Sequence, residues 1–581
     1  MEIAHIYIQE HKAIQDLNIP INGRFDCSYQ DENLYISIRN DDLSAYYYDI
    51  PISVLIGKNG TGKTSILTFL ETLVQSSDSS GIIIFYCKHD NIFYICNMNC
   101  SRKNNVIISG NDLSSSYQYI SDYKSFMESN GIQLVHINNI SSEHTELTLT
   151  KNKSTTSLLN LSLKSNTKSQ KEKRNYFQKL LHYFNDTFFS ESFQDKIYFE
   201  LKITPSSFRI INRAINIITN ENERKNTLQL FDKGFLALRE ISLFNYHNSS
   251  NNLIGMNVLA IISHLSKLTH DDINRQNQVF LYFLKVFSTL KINHGDNMAY
   301  YNILREMVRS LKYKENWSNS SPLYSYNYPE LDSTINSIDI QILENALEKN
   351  FDSLISLYEL IENHGLEYNK INNNSCRIEE FNLISDISKI INRMPNEISS
   401  NIALGWSGIS TGELAHSHIF SELFSYLIKS CEENITNSII FIDEVDLYLH
   451  PEWQRTFLHN LLRLINYCHA AKGSNIPQII LTTHSPIITG DFLPRDIISL
   501  YKEKDEYNDE NIIIKPSIGF GTSISDLYLD GMHLTAIFGE HSKNYIDHIL
   551  SQAKNGTLTD FDKQLISQIS DKYIRDYLLA P

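Results

Sequence analysis

Gly57-Lys58-Asn59-Gly60-Thr61-Gly62-Lys63-Thr64 is the stretch on which the reading of this chain turns. Its letters run G-x-x-x-x-G-K-T, the spacing of a phosphate-binding loop. The flanks supply the context that such a loop needs. Pro51 to Ile56 is a short, apolar, β-branched run of strand type. Ser65 to Gln75 has helical spacing, with Ile66, Leu67, Leu70 and Leu73 on one face. Glycines let backbone N–H groups turn inward around an anion, and the helix N-terminus adds its dipole. Gly57 to Ser65 are therefore expected to wrap the phosphates of a nucleoside triphosphate. Lys63 would reach the β- and γ-phosphates and the Thr64 hydroxyl would ligate Mg2+.

The bulk numbers fit a globular protein. The chain has 581 residues, 42% hydrophobic and 20% charged, which suits about two to four domains. No apolar run reaches the roughly 18 to 20 residues of a membrane helix, and the opening Met1-Glu2-Ile3-Ala4-His5-Ile6 is strand-like rather than a signal peptide. Seven scattered cysteines suggest reduced thiols and a cytoplasmic setting. Cys96 and Cys100 lack the partners of a zinc site. A net charge of −16 argues against a surface that coats duplex DNA. The sharpest basic cluster is Lys164, Lys168, Lys171, Lys173, Arg174 and Lys179, for which a solvated face is a plainer reading than a nucleic-acid contact.

Outward from the loop, residues 1 to about 50 alternate apolar and polar, through Ile3, His5, Tyr7, then Leu17, Ile19, Ile21, then Leu34, Ile36, Ile38. This predicts short antiparallel strands. His11-Lys12 falls in their first turn, beside an adenine or ribose or simply at the surface. Further strands are expected at Gly81 to Cys87, Ile92 to Cys96, Asn105 to Ile108 and Gln133 to Ile137, the last closed by Asn138-Asn139, a polar end that could touch Mg2+ or its water. From about 150 to 385 the pattern turns helical, at 252–268, 276–291, 299–312, 338–363 and 378–394. Leu343, Leu347, Phe351, Leu354, Tyr358 and Ile361 form one stripe. A compact helical subdomain or a short coiled-coil arm would both use it. Trp317 to Tyr328 reads as a loop within this region.

Four more pieces follow. Ser438 to Glu444 (S-I-I-F-I-D-E) is an apolar strand ending in two acids. Asp443 there would hold the metal through water, and Glu444 would polarise the attacking water as general base. Gly408-Ile409-Ser410-Thr411-Gly412-Glu413 opens a helix and offers a second anion site. Val445-Asp446-Leu447-Tyr448-Leu449-His450-Pro451 leads into another helix, with Pro451 in its first turn. Gln478 to Thr483 is a buried strand, and it ends in His484-Ser485-Pro486, where the histidine can bond a γ-phosphate. His416 and His418 lie on different faces of one helix and do not suggest a metal pair.

In this order the five pieces resemble the ATP-binding-cassette ATPases. That resemblance implies an α/β fold: a P-loop head of mixed sheet and flanking helices with antiparallel N-terminal strands, split by a mainly helical insertion. The divisions would be 1–150 for the N-terminal lobe, 151–385 for the insertion and 386–581 for the C-terminal lobe. It implies that Ser410, Gly412 and Glu413 close in trans on ATP held by another copy, and that Asp446 links the two sites of a homodimer. The inserted length suits chromosome-maintenance and recombination-repair ATPases. The runs 442–454 and 482–486 look like prokaryotic defence ATPases of the overcoming-lysogeny and Septu type. The tail from Gly519 to Leu527, with Phe538-Gly539-Glu540, is similar to the Septu subunit PtuA, which also occurs beside some retron reverse transcriptases.

The residues after His484 carry no spaced D-x-D at the end of a strand and no clustered His-Asn-His set, so DNA cutting is expected from a partner chain. The resemblance thus implies an ATP- and Mg2+-dependent subunit of an anti-phage complex. It would control an HNH-type nuclease, with a reverse transcriptase and its msDNA as further partners and nucleic acid met through the complex. Two other readings use the same letters: a repair ATPase that grips DNA through its insertion, and a scaffold locked by ATP with little turnover.

Overall fold

A computed structural model describes residues 1–39, 43–74, 78–100, 105–109, 116–139, 157–163, 166, 170–186, 198–239, 241, 249–295, 297–311, 339–364, 375–407, 409–433, 435–504, 510–534, 536 and 538–579. Lys164, Lys168, Gly408 and the Trp317–Tyr328 stretch lie outside them. The chain divides into two compact units, one from Met1–Ser165 with Ala415–Pro581, the other Asn166–Leu414.

The first unit is built on a seven-stranded sheet. Its order is Leu158–Asn160, Ile132–Asn138, Asn437–Asp443, Gln478–Thr482, Ile52–Gly57, Ile497–Lys504, Glu510–Lys515. The first six strands run parallel and the last is antiparallel to its neighbour. Parallel strands covered on both faces read as continuous apolar runs, and Ile439 to Ile442, Ile479 to Leu481 and Val54 to Ile56 are all 0% exposed. The helix Lys63–Glu71 turns Ile66, Leu67, Phe69 and Leu70 into one core cluster with Leu55, Leu134, Phe441 and Ile480 of this sheet and with Ile3, Ile6 and Ile83. Each such side chain contributes about 1.5–3 kcal/mol by leaving water.

A five-stranded sheet adds Ile14–Ile19, Glu2–His11, Ser80–Cys87, Ile92–Met98 and Ser116–Ile120, and a three-stranded one adds Phe25–Gln30, Asn33–Ile38 and Asn105–Ser109. The expected antiparallel pairs are present, but Asn33–Ile38 with Asn105–Ser109 and Ile92–Met98 with Ser116–Ile120 are parallel. Helices Glu540–Lys554, Asp560–Ser567 and Lys572–Leu579 gather round Ile549, Ile566 and Leu578.

The second unit is mostly helical. Ser249–Lys267, Ile273–His294, Tyr300–Ser310, Ile340–Asn363 and Phe381–Arg393 occupy the predicted positions. Of the predicted stripe, Leu343, Leu347, Leu354 and Ile361 are buried core, with Phe351 and Tyr358 packed against it. It also contains a three-stranded antiparallel sheet that the helical reading missed, ordered Ser375–Ile378, Tyr198–Ile203, Ile402–Ser407. The period-two signal was there, since Phe199, Leu201 and Ile203 alternate with polar residues and are buried. This pairing also ties Ile402–Ser407 to the second unit, whereas the sequence reading joined 386–414 to the C-terminal lobe.

Candidate functional site

Parallel strands end at one edge of a sheet, and that edge is where such sheets bind ligands. Three of the strand ends carry residues singled out in the sequence, and a fourth carries Thr482. Gly57 closes Ile52–Gly57, Asp443 closes Asn437–Asp443, Thr482 closes Gln478–Thr482 and Asn138 closes Ile132–Asn138. Asn138 stands in register with Asp443. Asn139, next in the chain, is 1% exposed and its amide has no partner among the described residues.

The loop itself needs its glycines. Gly57, Gly60 and Gly62 have φ of 146°, 78° and 91°, a region that favours glycine. A Cβ on Gly57 would lie 2.5 Å from the Leu500 carbonyl oxygen. Thr61 closes the turn by donating its hydroxyl to the Lys58 carbonyl at 2.8 Å. Lys63 is 7% exposed and its Nζ donates to the carbonyls of Gly57 at 2.9 Å and Lys58 at 3.3 Å. Burial lowers its pKa, against the pull of Asp443, Glu444 and Asp446.

The loop and the acids meet at Thr64, whose hydroxyl donates to Asp443 Oδ2 at 3.2 Å. An octahedral Mg2+ at about 2.0–2.1 Å from Thr64 Oγ1 would have Asp443 within reach of the ion or of one of its waters, so the pair suits the ion. Among the described residues no group of three or more His, Cys, Asp or Glu could hold a metal. Phosphate oxygens and water complete such a shell.

Two threonines fix the acids, and sequence reading passed over both. The Thr482 hydroxyl donates to Asp443 Oδ1 and accepts the Glu444 N–H at 2.8 Å. The Thr483 hydroxyl and the His484 N–H both donate to Asp446 Oδ1, at 2.6 and 2.9 Å. Two hydroxyls ending an apolar buried strand were the signal. Glu444 has a φ of 51°, and its pKa is raised by burial, then by Asp443 and Asp446, with Lys63 opposing. His484 is held below 6.5 by burial and by Lys63. Lys63, Thr64, Asp443, Glu444, Asp446 and His484 thus share one edge.

Ser410, Gly412 and Glu413 belong to the other unit. The Ser410 N–H donates to Glu413 Oε2 at 2.7 Å and the Glu413 N–H to Ser410 Oγ at 3.2 Å. This is a reciprocal capping box at the start of Thr411–Glu432. Pro451 opens Pro451–Lys472 as expected. His416 and His418 are both buried, with His416 stacked on Phe420. His11 is 8% exposed and not a surface residue. It bonds Ser79 Oγ and Thr68 Oγ1 at 2.6 and 3.1 Å, and Lys12 Nζ donates to Thr68 Oγ1 at 2.7 Å, so the turn is tied to the loop's helix. Among the described residues no helix is long and apolar enough to cross a membrane.

The chain is 30% identical over 197 residues to the Retron Vc95 probable ATPase of Vibrio cholerae serotype O1 biovar El Tor. That match covers 29% of this chain and 36% of the relative. The profile of the AAA ATPase domain family matches residues 1–489. The chain belongs to the AAA ATPase domain family.

Proposed function

We propose that this chain hydrolyses ATP as a subunit of an anti-phage complex, with nucleotide state controlling a nuclease carried by another chain. The observation that carries the reading is the 3.2 Å approach of Thr64 to Asp443, which joins the phosphate loop to the acidic strand end. The retron-associated relative supports the defence setting.

In this reading Lys63 exchanges the carbonyls of Gly57 and Lys58 for the β- and γ-phosphates. Thr64 and Asp443 would hold Mg2+, which would supply charge neutralisation at those phosphates. Glu444 orients the attacking water and takes its proton; its raised pKa brings it toward the range where a general base works best. His484, kept neutral by burial, donates to the γ-phosphate and registers its loss. Ser410 and Gly412 of a second copy close the site, so that ATP joins two chains. The Septu-like and retron-like partners are an HNH-type nuclease and a reverse transcriptase with its msDNA.

The test is phosphate release by the pure chain, then DNA cleavage by the complex purified with its gene neighbours. Glu444→Gln and Lys63→Ala are expected to lower release by about 10²-fold or more and to change cleavage. Turnover that survives Glu444→Gln would refute the assigned base, and cleavage and phage resistance indifferent to both variants would refute the control role.

A further inference from the structure

The second unit contains a cavity of about 390 Å3 that the nucleotide reading does not use. Helices Ser249–Lys267, Ile340–Asn363 and Phe381–Arg393 supply most of its walls. Its size falls within the range of about 300–1,000 Å3 for small-molecule sites. The lining runs against the chain's overall charge. The sequence has 67 acids and 51 Lys or Arg, yet His264, Lys349 and Arg393 line the cavity and no carboxylate does, among the described residues. Neither Lys349 Nζ nor the Arg393 guanidinium has a partner among the described residues. Both cations are exposed and keep their water, so they cost the fold little and remain available to an anion that enters.

The remaining walls are selective. Asn350 is 2% exposed, and its Nδ2 donates to His264 Nδ1 at 3.0 Å. That bond leaves His264 with its proton on Nε2, a donor. Glu397, the carboxylate that acts on His264, is held by Lys267 Nζ at 2.6 Å. Leu268 and Ile342 line the cavity with 43% and 52% of their surface open. A cavity that combines two cations, a fixed amide–imidazole pair and apolar side chains matches a molecule with both a phosphate and a less polar part.

We propose that this cavity binds a small phosphorylated ligand of mononucleotide size, as a second site apart from the phosphate loop. Its volume suits one nucleotide. A nucleic-acid strand is held by an extended cationic groove with several stacking positions, which this cavity does not offer.

The probes are AMP, GMP, CMP, UMP and inorganic phosphate, titrated by calorimetry into the full chain carrying Lys63→Ala, so that the loop and the cavity are read separately. At least one monophosphate is expected to bind at one site per chain. Lys349→Ala with Arg393→Ala should weaken it by about tenfold or more with the melting temperature unchanged, since both side chains are exposed. Asn350→Ala should weaken it as well. No monophosphate binding below about 1 mM, or equal binding by the double variant, overturns the site. Inorganic phosphate binding as tightly as every nucleotide overturns the nucleoside part. A single-stranded DNA oligonucleotide that binds through Lys349 and Arg393 when no monophosphate does overturns the small-ligand assignment.

Discussion

Thr482 is the residue whose removal tests the geometry most directly. It is 0% exposed and its hydroxyl serves two acids at once, donating to Asp443 and accepting the Glu444 N–H. Thr482→Val keeps the shape and removes both bonds. Losing a donor to a carboxylate costs about 1.5–3 kcal/mol, and leaving a buried N–H without an acceptor about 1–3 kcal/mol. Water reaching this edge and the added methyl recover part, leaving about 2–4 kcal/mol. At about 1.5 °C per kcal/mol for a unit of roughly 330 residues, the melting temperature should fall by about 3–6 °C. The released Asp443 and Glu444 no longer match the Mg2+ and water positions, so kcat should fall about 10- to 100-fold, a barrier change of about 1.4–2.7 kcal/mol. Thr482→Ser retains both bonds and should restore most of each loss. Scanning calorimetry and steady-state phosphate release decide it. A Val variant that melts and turns over like the parent, or a Ser variant as damaged as Val, would show that the hydroxyl does not position the acids.

The other tests are shorter. Because burial and the neighbouring acids raise the Glu444 pKa above 4.5, turnover should fall with acid from a higher pH than an ordinary carboxylate sets. Glu444→Gln should lower the rate by about 10²–10⁴ and erase that limb, read from kcat against pH. Gly57→Ala places a Cβ 2.5 Å from the Leu500 carbonyl at a φ of 146°, and should abolish ATP binding by calorimetry while lowering the melting temperature. His416 is held at about 4 by burial. The unfolded chain therefore takes up a proton that the folded chain refuses as pH falls from 6.5 to about 4, a loss of up to about 3 kcal/mol at about 1.36 per unit. His416→Phe should flatten that part of the stability profile in urea melts. Gly412→Ala should leave the melting temperature equal or higher while lowering ATP-dependent dimerisation, measured by light scattering.

What the sequence displayed was whatever depends on local spacing. The loop, its strand and helix, Asp443 and Glu444 at a strand end, and Pro451 at a helix start are each written in a few adjacent letters. The parallel edge that gathers them is non-local, yet the apolar runs 439–442 and 479–481 signalled it, because only strands covered on both faces lack polar alternation. The threonines were hidden because hydroxyls are common at strand ends and their use depends on which acid stands on the neighbouring strand. The sheet formed by Tyr198–Ile203, Ser375–Ile378 and Ile402–Ser407 was hidden because its strands lie far apart in sequence among helices. The cavity at Lys349 and Arg393 has no motif, since its residues come from three helices and only packing brings them together.

The stretch from Ser410 to Glu413 shows why a pattern of letters is weaker than its chemistry. Two of its letters are accounted for without any ligand. Serine and glutamate satisfy each other's backbone N–H groups in a capping box, a local arrangement worth about 1 kcal/mol to a helix in any protein. Ser410→Ala would therefore damage the helix whether or not Ser410 meets a nucleotide, and a loss of activity would not separate the two roles. Gly412 takes no part in that box. It sits inside the first turn of Thr411–Glu432, where alanine is better by about 1 kcal/mol. A glycine there leaves its backbone open to close approach, which is what the assembly reading asks of it. Alanine at this position favours the helix and adds a methyl where a partner's nucleotide would approach. Gly412→Ala thus separates folding from assembly, whereas changing Ser410 or Glu413 confounds them.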